Sequence, residues 1–405
     1  MIQTDVLILG GGLVGACLAT ALDAHGLSCV VVDPADPAVT LAPGFDGRAS
    51  AVASASGRML DAIGVGAALA GRGCAIRSIR VSDGLAPGKL DFVSGEGDGP
   101  LGTMYENKLL RRVLHDAALR ATLVDLKMQT RATDVTRDGA GVHATLSTGE
   151  DVRAELLVAA EGRNSPTRAA AGIAVARWSY AHRAIIAAFH HERAHDATAY
   201  EIFYPAGPFA ILPLPDDEQG HRSALVWTVA ERDAAGMLKL GNRGFLAEAE
   251  ARMGGFLGRL SAAAPRSSYP LGFHHTVRVT AERLALVGDA GHGIHPIAGQ
   301  GLNLGLRDVA ALVEVLAEGR RLGLDLGDAQ LLARYERWRS LDTTMVAVAT
   351  DTLTRLFGVP GTTASAVRRF GIAAVDRIAP LKDRFMAEAR GESGDVPRLL
   401  QGVMA

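Results

Sequence analysis

The chain has 405 residues, 48% hydrophobic and 21% charged, enough to bury the core of a soluble globular protein of about two domains. Its 42 basic and 44 acidic residues leave a formal net charge of −2, and aromatic residues make up only 5%. There is no positive field to gather nucleic acid and no basic, aromatic-rich stretch on which bases would stack, so nucleic acid is excluded as a partner. The three cysteines, Cys17, Cys29 and Cys74, form no CxxC pair and read as reduced core residues. The start "MIQTDVLILGGG" lacks a basic leader, and no apolar run has the length of a membrane span. The expected location is therefore the cytoplasm.

In chain order, residues 5–9 form a short apolar strand that runs into glycine. A helix follows from Gly12 to His25, with Val14, Leu18 and Leu22 on one face and Gly26 as its stop. The strand "SCVVVD" ends at Asp33, completing a βαβ opening with parallel strands. The turn between strand and helix, Gly10–Gly11–Gly12–Leu13–Val14–Gly15, is a GxGxxG motif. Gly10 allows the tight turn, Gly12 lets backbone approach a pyrophosphate, and Gly15 lets helix and strand pack closely. Asp33 stands where it can accept hydrogen bonds from an adenosine ribose. The motif by itself fits FAD and NAD equally.

Residues 34–56 read as loop plus a small-residue helix, and 76–102 alternate strand and turn signals. Residues 107–122 read as helix, and 124–160 as short antiparallel strands with turns at "RDGAG" and "STGE". The stretch "LLVAAEGRNSPTR" (156–168) reads on its own as a strand followed by a helix capped by Asn164 or Ser165. Strand patterns return over 184–230, with His190, His191 and His195 of "HHERAH" expected in a solvated turn. A helix is expected over 241–262, and His274 and His275 are expected to flank a strand. The segment "LALVGDAGHGIHPIAGQGLNLGLRDVAALVEVL" (284–316) is then unusual. It places Asp289 at a strand end and much backbone freedom before a helix whose apolar face is 302, 306, 309, 313 and 316. A carboxylate there suits a polyhydroxy chain, and a helix N-terminus would stabilise an anionic ring. His292, His295 and Asp289 lack a third ligand of the usual spacing, so no metal is expected.

The residues "GDAGHGIHPIAGQGLNLGLRDVAAL" resemble the flavin-binding motif of the aromatic flavoprotein monooxygenases, the p-hydroxybenzoate hydroxylase group. "DGRASAVASASGRMLDAIGV" (46–65), "ENKLLRRVL" (106–114), "GPFAILPLPD" (207–216), "TDTLTRLF" (350–357) and "VDRIAPLKDRFMAEARGESGDVPRLL" (375–400) are similar to its ubiquinone-biosynthesis hydroxylases, of the 2-polyprenyl-6-methoxyphenol hydroxylase kind. The resemblance covers nearly the whole chain. It implies an α/β fold: a discontinuous Rossmann-like FAD-binding domain (1–75, 103–180 and 270–340), an inserted β-sheet substrate domain (76–102 and 181–269), and a C-terminal helical segment (341–405).

By position, the resemblance implies that Gly10, Gly12, Leu13, Val14, Gly15 and Asp33 hold the ADP half of FAD. Arg48 and Arg111 would contact the pyrophosphate and flavin side, and Asp289 the ribityl chain. Pro296, Gly299, Gln300, Gly301, Leu302 and Asn303 would line the isoalloxazine, with His295 and Pro296 nearest the chemistry. Two positions depart from the pattern: Glu161 stands for the usual aspartate, and His182 for an expected glutamine. The implied reaction uses a flavin C4a-hydroperoxide, formed with O2 and electrons from NAD(P)H or a protein donor, to hydroxylate a polyprenylated phenol in ubiquinone biosynthesis. A biosynthetic complex and a membrane surface are the implied partners. From Arg337 to Arg390 the tail carries nine basic and five acidic residues, with an apolar face at Met345, Val346, Ala349, Leu353, Leu356 and Phe357. That face suits packing on the FAD-binding domain or a peripheral contact with anionic lipid. Other functions compatible with the sequence are hydroxylation of a soluble phenol, flavin-dependent reduction of prenyl chains, and a non-catalytic flavoprotein role. A nicotinamide dehydrogenase is disfavoured, because its cofactor has no ribityl chain for Asp289.

Overall fold

The computed structural model describes all residues except 86–87, 96, 294–299, 341, 343–374 and 376. The first strand, Ile2–Leu9, is flanked by two parallel neighbours, Cys29–Asp33 and Asp151–Ala159. Val124–Met128 extends the sheet on one side and Leu284–Leu286 on the other, both parallel. The last four residues of Ile2–Leu9, the first four of Cys29–Asp33 and the last four of Asp151–Ala159 are buried. Their unbroken apolar runs follow from having both faces covered. Helix Leu13–Ala24 and helix Gln300–Arg321 pack on this sheet, and the latter is buried almost all round between residues 303 and 317.

The expected antiparallel reading of 124–160 holds in part. The hairpin of Ala132–Asp138 and Gly141–Leu146 continues antiparallel into the first half of Asp151–Ala159, while Val124–Met128 and Asp151–Ala159 also join the parallel sheet. The hairpin alternates buried and exposed residues, whereas "LLVA" is buried throughout. Chain order alone did not separate the two.

A second, nine-stranded sheet runs His292–Gly293, Ser267–Thr276, Val175–His191, Gly220–Ala230, Gly207–Asp217, Thr198–Tyr204, Ser78–Asp83, Lys89–Val93, with Leu260–Ala262 paired at the side. Its longest strand, Val175–His191, begins inside the segment expected to belong to the FAD-binding portion. Ser78–Asp83 joins by parallel pairing with Thr198–Tyr204 across more than a hundred residues of chain. One face packs under helices Glu231–Lys239 and Asn242–Met253. The second of these stops at Gly254 (φ +70°), well short of the expected 262, because the Gly254–Gly255 pair turns left-handed. A small third sheet pairs Ala49–Ala53 and Cys74–Ile76 with Gly102–Glu106; the first of these strands lies in what read as loop.

The histidine expectation also needs correction. His190, His191 and His195 are 6%, 6% and 8% exposed. His190 meets the Asp217 carboxylate through Nε2, His191 meets Ser223 Oγ and the Arg193 carbonyl, and His195 meets the Leu214 carbonyl. Strand pairing drew these polar residues inward and supplied their partners. His274 and His275 lie within strand Ser267–Thr276 rather than beside one.

Candidate active site

Parallel register brings four chain segments to one edge. Leu9 pairs with Val32 and Ala159, and Ala159 pairs with Leu286. The residues at or just beyond each strand end, Gly10, Asp33, Glu161 and Gly288–Asp289, therefore gather along one edge. This carboxyl edge is where open parallel sheets bind ligands.

At the first strand end, Gly10 has φ +106° and donates its N–H to Val32 O at 2.9 Å. Asp33 accepts from Gly11 N (2.6 Å) and Ala35 N (2.7 Å), one bond per oxygen, which leaves acceptor capacity on both. A Cβ at Gly10 would collide with the Ala160 carbonyl, and one at Gly15 with the Gly10 carbonyl. At Gly12 a Cβ would meet nothing within 4 Å. The protein itself thus requires Gly10 and Gly15, while Gly12 borders open space among the described residues. No side chain caps helix Leu13–Ala24, and no acid sits in its first turn. That opening, next to uncapped N–H groups, fits a pyrophosphate and is the feature that fits FAD. Val14 reaches across to the third motif: Cβ atoms at Gly305 and Gly288 would stand 2.8 and 3.2 Å from its Cγ2.

The Asp289 loop is held by its backbone. His274 Nε2 donates to Asp289 O (2.8 Å), Arg168 Nη1 to Ala290 O (2.7 Å), and Thr276 Oγ1 to Gly291 O (2.9 Å). Below it, buried Asp308 accepts from Gly288 N (2.8 Å), His292 Nε2 (2.6 Å) and Arg339 Nε (2.7 Å). Burial works against the Asp308 carboxylate, yet His292 and Arg339 hold its pKa below the usual range. The Asp289 side chain itself makes no hydrogen bond among the described residues. It is open to solvent but crowded by the cleft walls, and that desolvation raises its pKa despite His292 and Arg163. A fixed backbone carrying an unengaged carboxylate is the geometry of a ligand contact.

The turn at 161–168 is a capped helix start, and it is also a strut. Glu161 accepts from Ser165 Oγ (2.6 Å) and Thr167 N (3.2 Å), while Ser165 Oγ accepts from Arg168 N. Arg168, 3% exposed, then reaches the Ala290 carbonyl. Arg163 is exposed on the same turn and acts electrostatically on Asp289, His274 and Tyr269. Sequence reasoning missed Arg163, Arg168, His274 and Asp308. For Arg163 the signal was a basic residue directly after the strand-end glycine.

Arg48 is exposed and Arg111 half-buried, and neither guanidinium is engaged among the described residues. Arg48 and Arg163 both act on the Tyr269 phenol, whose pKa burial raises. Gln300 opens the long helix, a Cβ at Gly301 would meet no described residue within 4 Å, and Leu302 is half-buried. Asn303 serves as a clamp: its Oδ1 accepts from Ala53 N and Ser56 Oγ, and its Nδ2 donates to Ala51 O. His295, Pro296 and Gly299, and the tail face at 345–357, lie outside the described residues.

A family model described as an FAD binding domain matches residues 3–349. The ubiquinone hydroxylase UbiL of Rhodospirillum rubrum is 47% identical over 402 residues, spanning 98% of this chain and 93% of that protein. The 3-demethoxyubiquinol 3-hydroxylase of Escherichia coli is 32% identical over 394 residues, spanning 96% and 98%. The fold of p-nitrophenol 4-monooxygenase PnpA from Pseudomonas putida DLL-E4 matches with a TM-score of 0.77 at 17% identity, over 98% of this chain and 100% of that one.

Two outcomes test the site. Gly15→Ala should lose about 1–3 kcal/mol through overpacking against backbone. Gly12→Ala should stay near wild-type stability yet release FAD more readily; urea unfolding and flavin absorbance after dialysis distinguish the two, and equal behaviour would contradict the division of roles. His274 is pushed down by burial from about 6.5 to about 4. The folded state then binds fewer protons than the unfolded chain between those values. Its stabilising contribution is full above pH 6.5 and is lost as pH falls toward 4, with a slope of at most about 1.4 kcal/mol per unit. His25, His191 and His275 are also lowered and act in the same direction. His274→Gln should therefore flatten the fall in urea midpoint between pH 7 and pH 5 in part; an unchanged slope would show that His274 does not titrate in this way.

Proposed function

The chain belongs to the FAD-binding family of flavoprotein monooxygenases, and on that premise we propose that it hydroxylates the ring of a polyprenylated phenol in ubiquinone biosynthesis. FAD is its cofactor and the enzyme is an oxidoreductase. The observation that carries the reading is the convergence of four strand ends on one edge, opposite the face of a second sheet. When bound, FAD supplies the oxygen chemistry, using O2 and electrons from NAD(P)H or a protein donor.

The chain's own residues have distinct tasks in this reading. The free start of helix Leu13–Ala24, with Arg48 and Arg111, takes the pyrophosphate. Asp33 takes the ribose through its remaining lone pairs. Asp289 accepts from a ribityl hydroxyl, and the network beneath it fixes where that carboxylate stands. The start of helix Gln300–Arg321 presents N–H groups and a positive dipole end to the ring. His295 and Pro296 belong beside the reacting carbon. Arg163, next to Asp289, adds positive charge where an anionic ring would sit. The second sheet closes the opposite side with largely apolar residues and keeps water from the reaction.

No helix among the described residues is long and apolar enough to cross a membrane. A polyprenylated substrate resides in lipid, so we assign the basic, apolar tail a peripheral contact with an anionic membrane surface, with a biosynthetic complex as its setting. The names of the relatives and the tail's surplus of basic residues support this reading.

Complementation tests it. Expression in bacterial strains each lacking one ubiquinone ring hydroxylase should restore ubiquinone in one of them, read by mass spectrometry. Asp289→Ala should bind FAD roughly tenfold or more weakly, from loss of a charged hydrogen bond, and should fail to rescue. No rescue in any strain by soluble, FAD-loaded protein would overturn the substrate class.

A further inference from the structure

Strand register isolates one carboxyl that the flavin site leaves unused. Glu201 lies in strand Thr198–Tyr204, with Val81 opposite it on one side and Ala210 on the other. The row continues through Val226 and Ile186 to Ser267. Two residues along each strand, a second row reads Phe203, Pro208, Thr228, Ala184, Tyr269. Side chains alternate across a sheet, so both rows share one face. The other face, with Ile202, Ile211, Leu225 and Trp227, is the one under the two helices.

The Glu201 face is turned toward the flavin-binding edge. Ala199, Phe203 and Leu214 from it are buried together with Leu101 and Met104. The Tyr269 phenol on it feels Arg48, Arg163 and Asp289.

Three polar groups on this face lack a partner among the described residues: the Glu201 carboxyl, Thr228 Oγ1 and Ser267 Oγ. Thr228 is only 3% exposed. Buried polar groups are almost always satisfied, so an unsatisfied set gathered on one wall marks a surface that a ligand completes. Glu201 is half-buried by area, and burial pushes its carboxyl up to about 8. At neutral pH it is a neutral acid with one donor and spare acceptor capacity. No charged side chain among the described residues acts on it, and its neighbours Val81, Ala210, Ala199 and Phe203 are apolar.

We propose that Glu201 is a substrate-binding residue that hydrogen-bonds an oxygen substituent of the phenolic ring, with Thr228 as a second polar contact on the same wall. This rests on the phenol reading above. The four strand spacings between Ser267 and Glu201 span roughly 19 Å, wider than a phenol ring. Ala210, Val226 and Ile186 between them are apolar, which suits a ring that carries an isoprenoid tail. A charged carboxylate at this place would repel an electron-rich ring, whereas a neutral acid can donate to its oxygen.

The experiment uses the FAD-loaded enzyme and two probes: a phenol bearing one prenyl group, and the prenylated benzene that lacks its hydroxyl. Binding is read from the perturbation of the flavin's visible absorbance. The wild type should prefer the phenol at least tenfold; Glu201→Leu should reduce that preference to within threefold, and Glu201→Gln should keep it. Wild-type affinity for the phenol should fall as pH rises through about 8, whereas that of Glu201→Gln should stay level, a contrast that a merely structural residue would not produce. If Glu201→Leu fails to load FAD, the pH profile of Glu201→Gln decides alone. Phenol binding with unchanged preference in Glu201→Leu, or identical pH profiles for wild type and Glu201→Gln, overturns the role of Glu201 and leaves the phenol reading standing. Failure of the FAD-loaded wild type to bind either probe overturns both.

Discussion

The Asp308 carboxylate, 1% exposed, accepts three hydrogen bonds: two from the Asp289 loop, Gly288 N and His292, and one from Arg339, 31 residues further along the chain. Arg339 also donates to Asp342, which receives Arg307. Arg307 then donates to the carbonyls of Ser393 and Asp395. One buried network thus runs from the loop carrying Asp289, through the long helix, to the last residues of the chain. Removing one partner from such a pair costs about 3–5 kcal/mol, because it strands the other charge. The flavin loop and the C-terminal segment are therefore bound to the same core and hold each other's position.

Around that anchor, the architecture is set by where parallel strands end. Register alone delivers Gly10, Asp33, Glu161 and Asp289 to a common edge, although they come from positions up to 279 residues apart. The loops leaving those ends are stiffened from behind. His274, Arg168 and Thr276 donate to the successive carbonyls of Asp289, Ala290 and Gly291, so the protein itself holds this part of the loop. A carboxylate on such a loop can select a hydroxyl by geometry, since the site is formed before the ligand arrives.

This division explains which parts were legible in the sequence. The glycine turn, Asp33 and Asp289 could be read because backbone freedom and a strand-end acid leave a local pattern. The helix over 300–321 could be read from its period. Supports such as Arg168 and His274 could not, since an arginine that meets a backbone carbonyl 122 residues away leaves no mark in its neighbourhood. The parallel pairing of Ser78–Asp83 with Thr198–Tyr204 was hidden for the same reason. The buried histidines at 190, 191 and 195 misled because "HHERAH" is locally polar. Their burial follows from strand pairing and from acceptors supplied by Asp217, Ser223 and Leu214.

The two walls of the cleft also differ in how completely they are satisfied. On the cofactor side the supports are paired with backbone or carboxylate groups through at least one atom each, and the side chains of Arg48, Arg111 and Asp289 make no hydrogen bond among the described residues. On the sheet side, the half-buried Glu201 carboxyl and the buried Thr228 and Ser267 hydroxyls have no partner among the described residues. An unsatisfied buried hydroxyl costs about 1–3 kcal/mol, so a wall of this kind is destabilising without an occupant. On the proposed reading, the cleft would hold its cofactor by fixed charge and dipoles, and its second ligand by polar groups that have no partner among the described residues. Discrimination is strongest in the latter arrangement, because an analogue without the matching oxygen leaves the buried groups as unsatisfied as before.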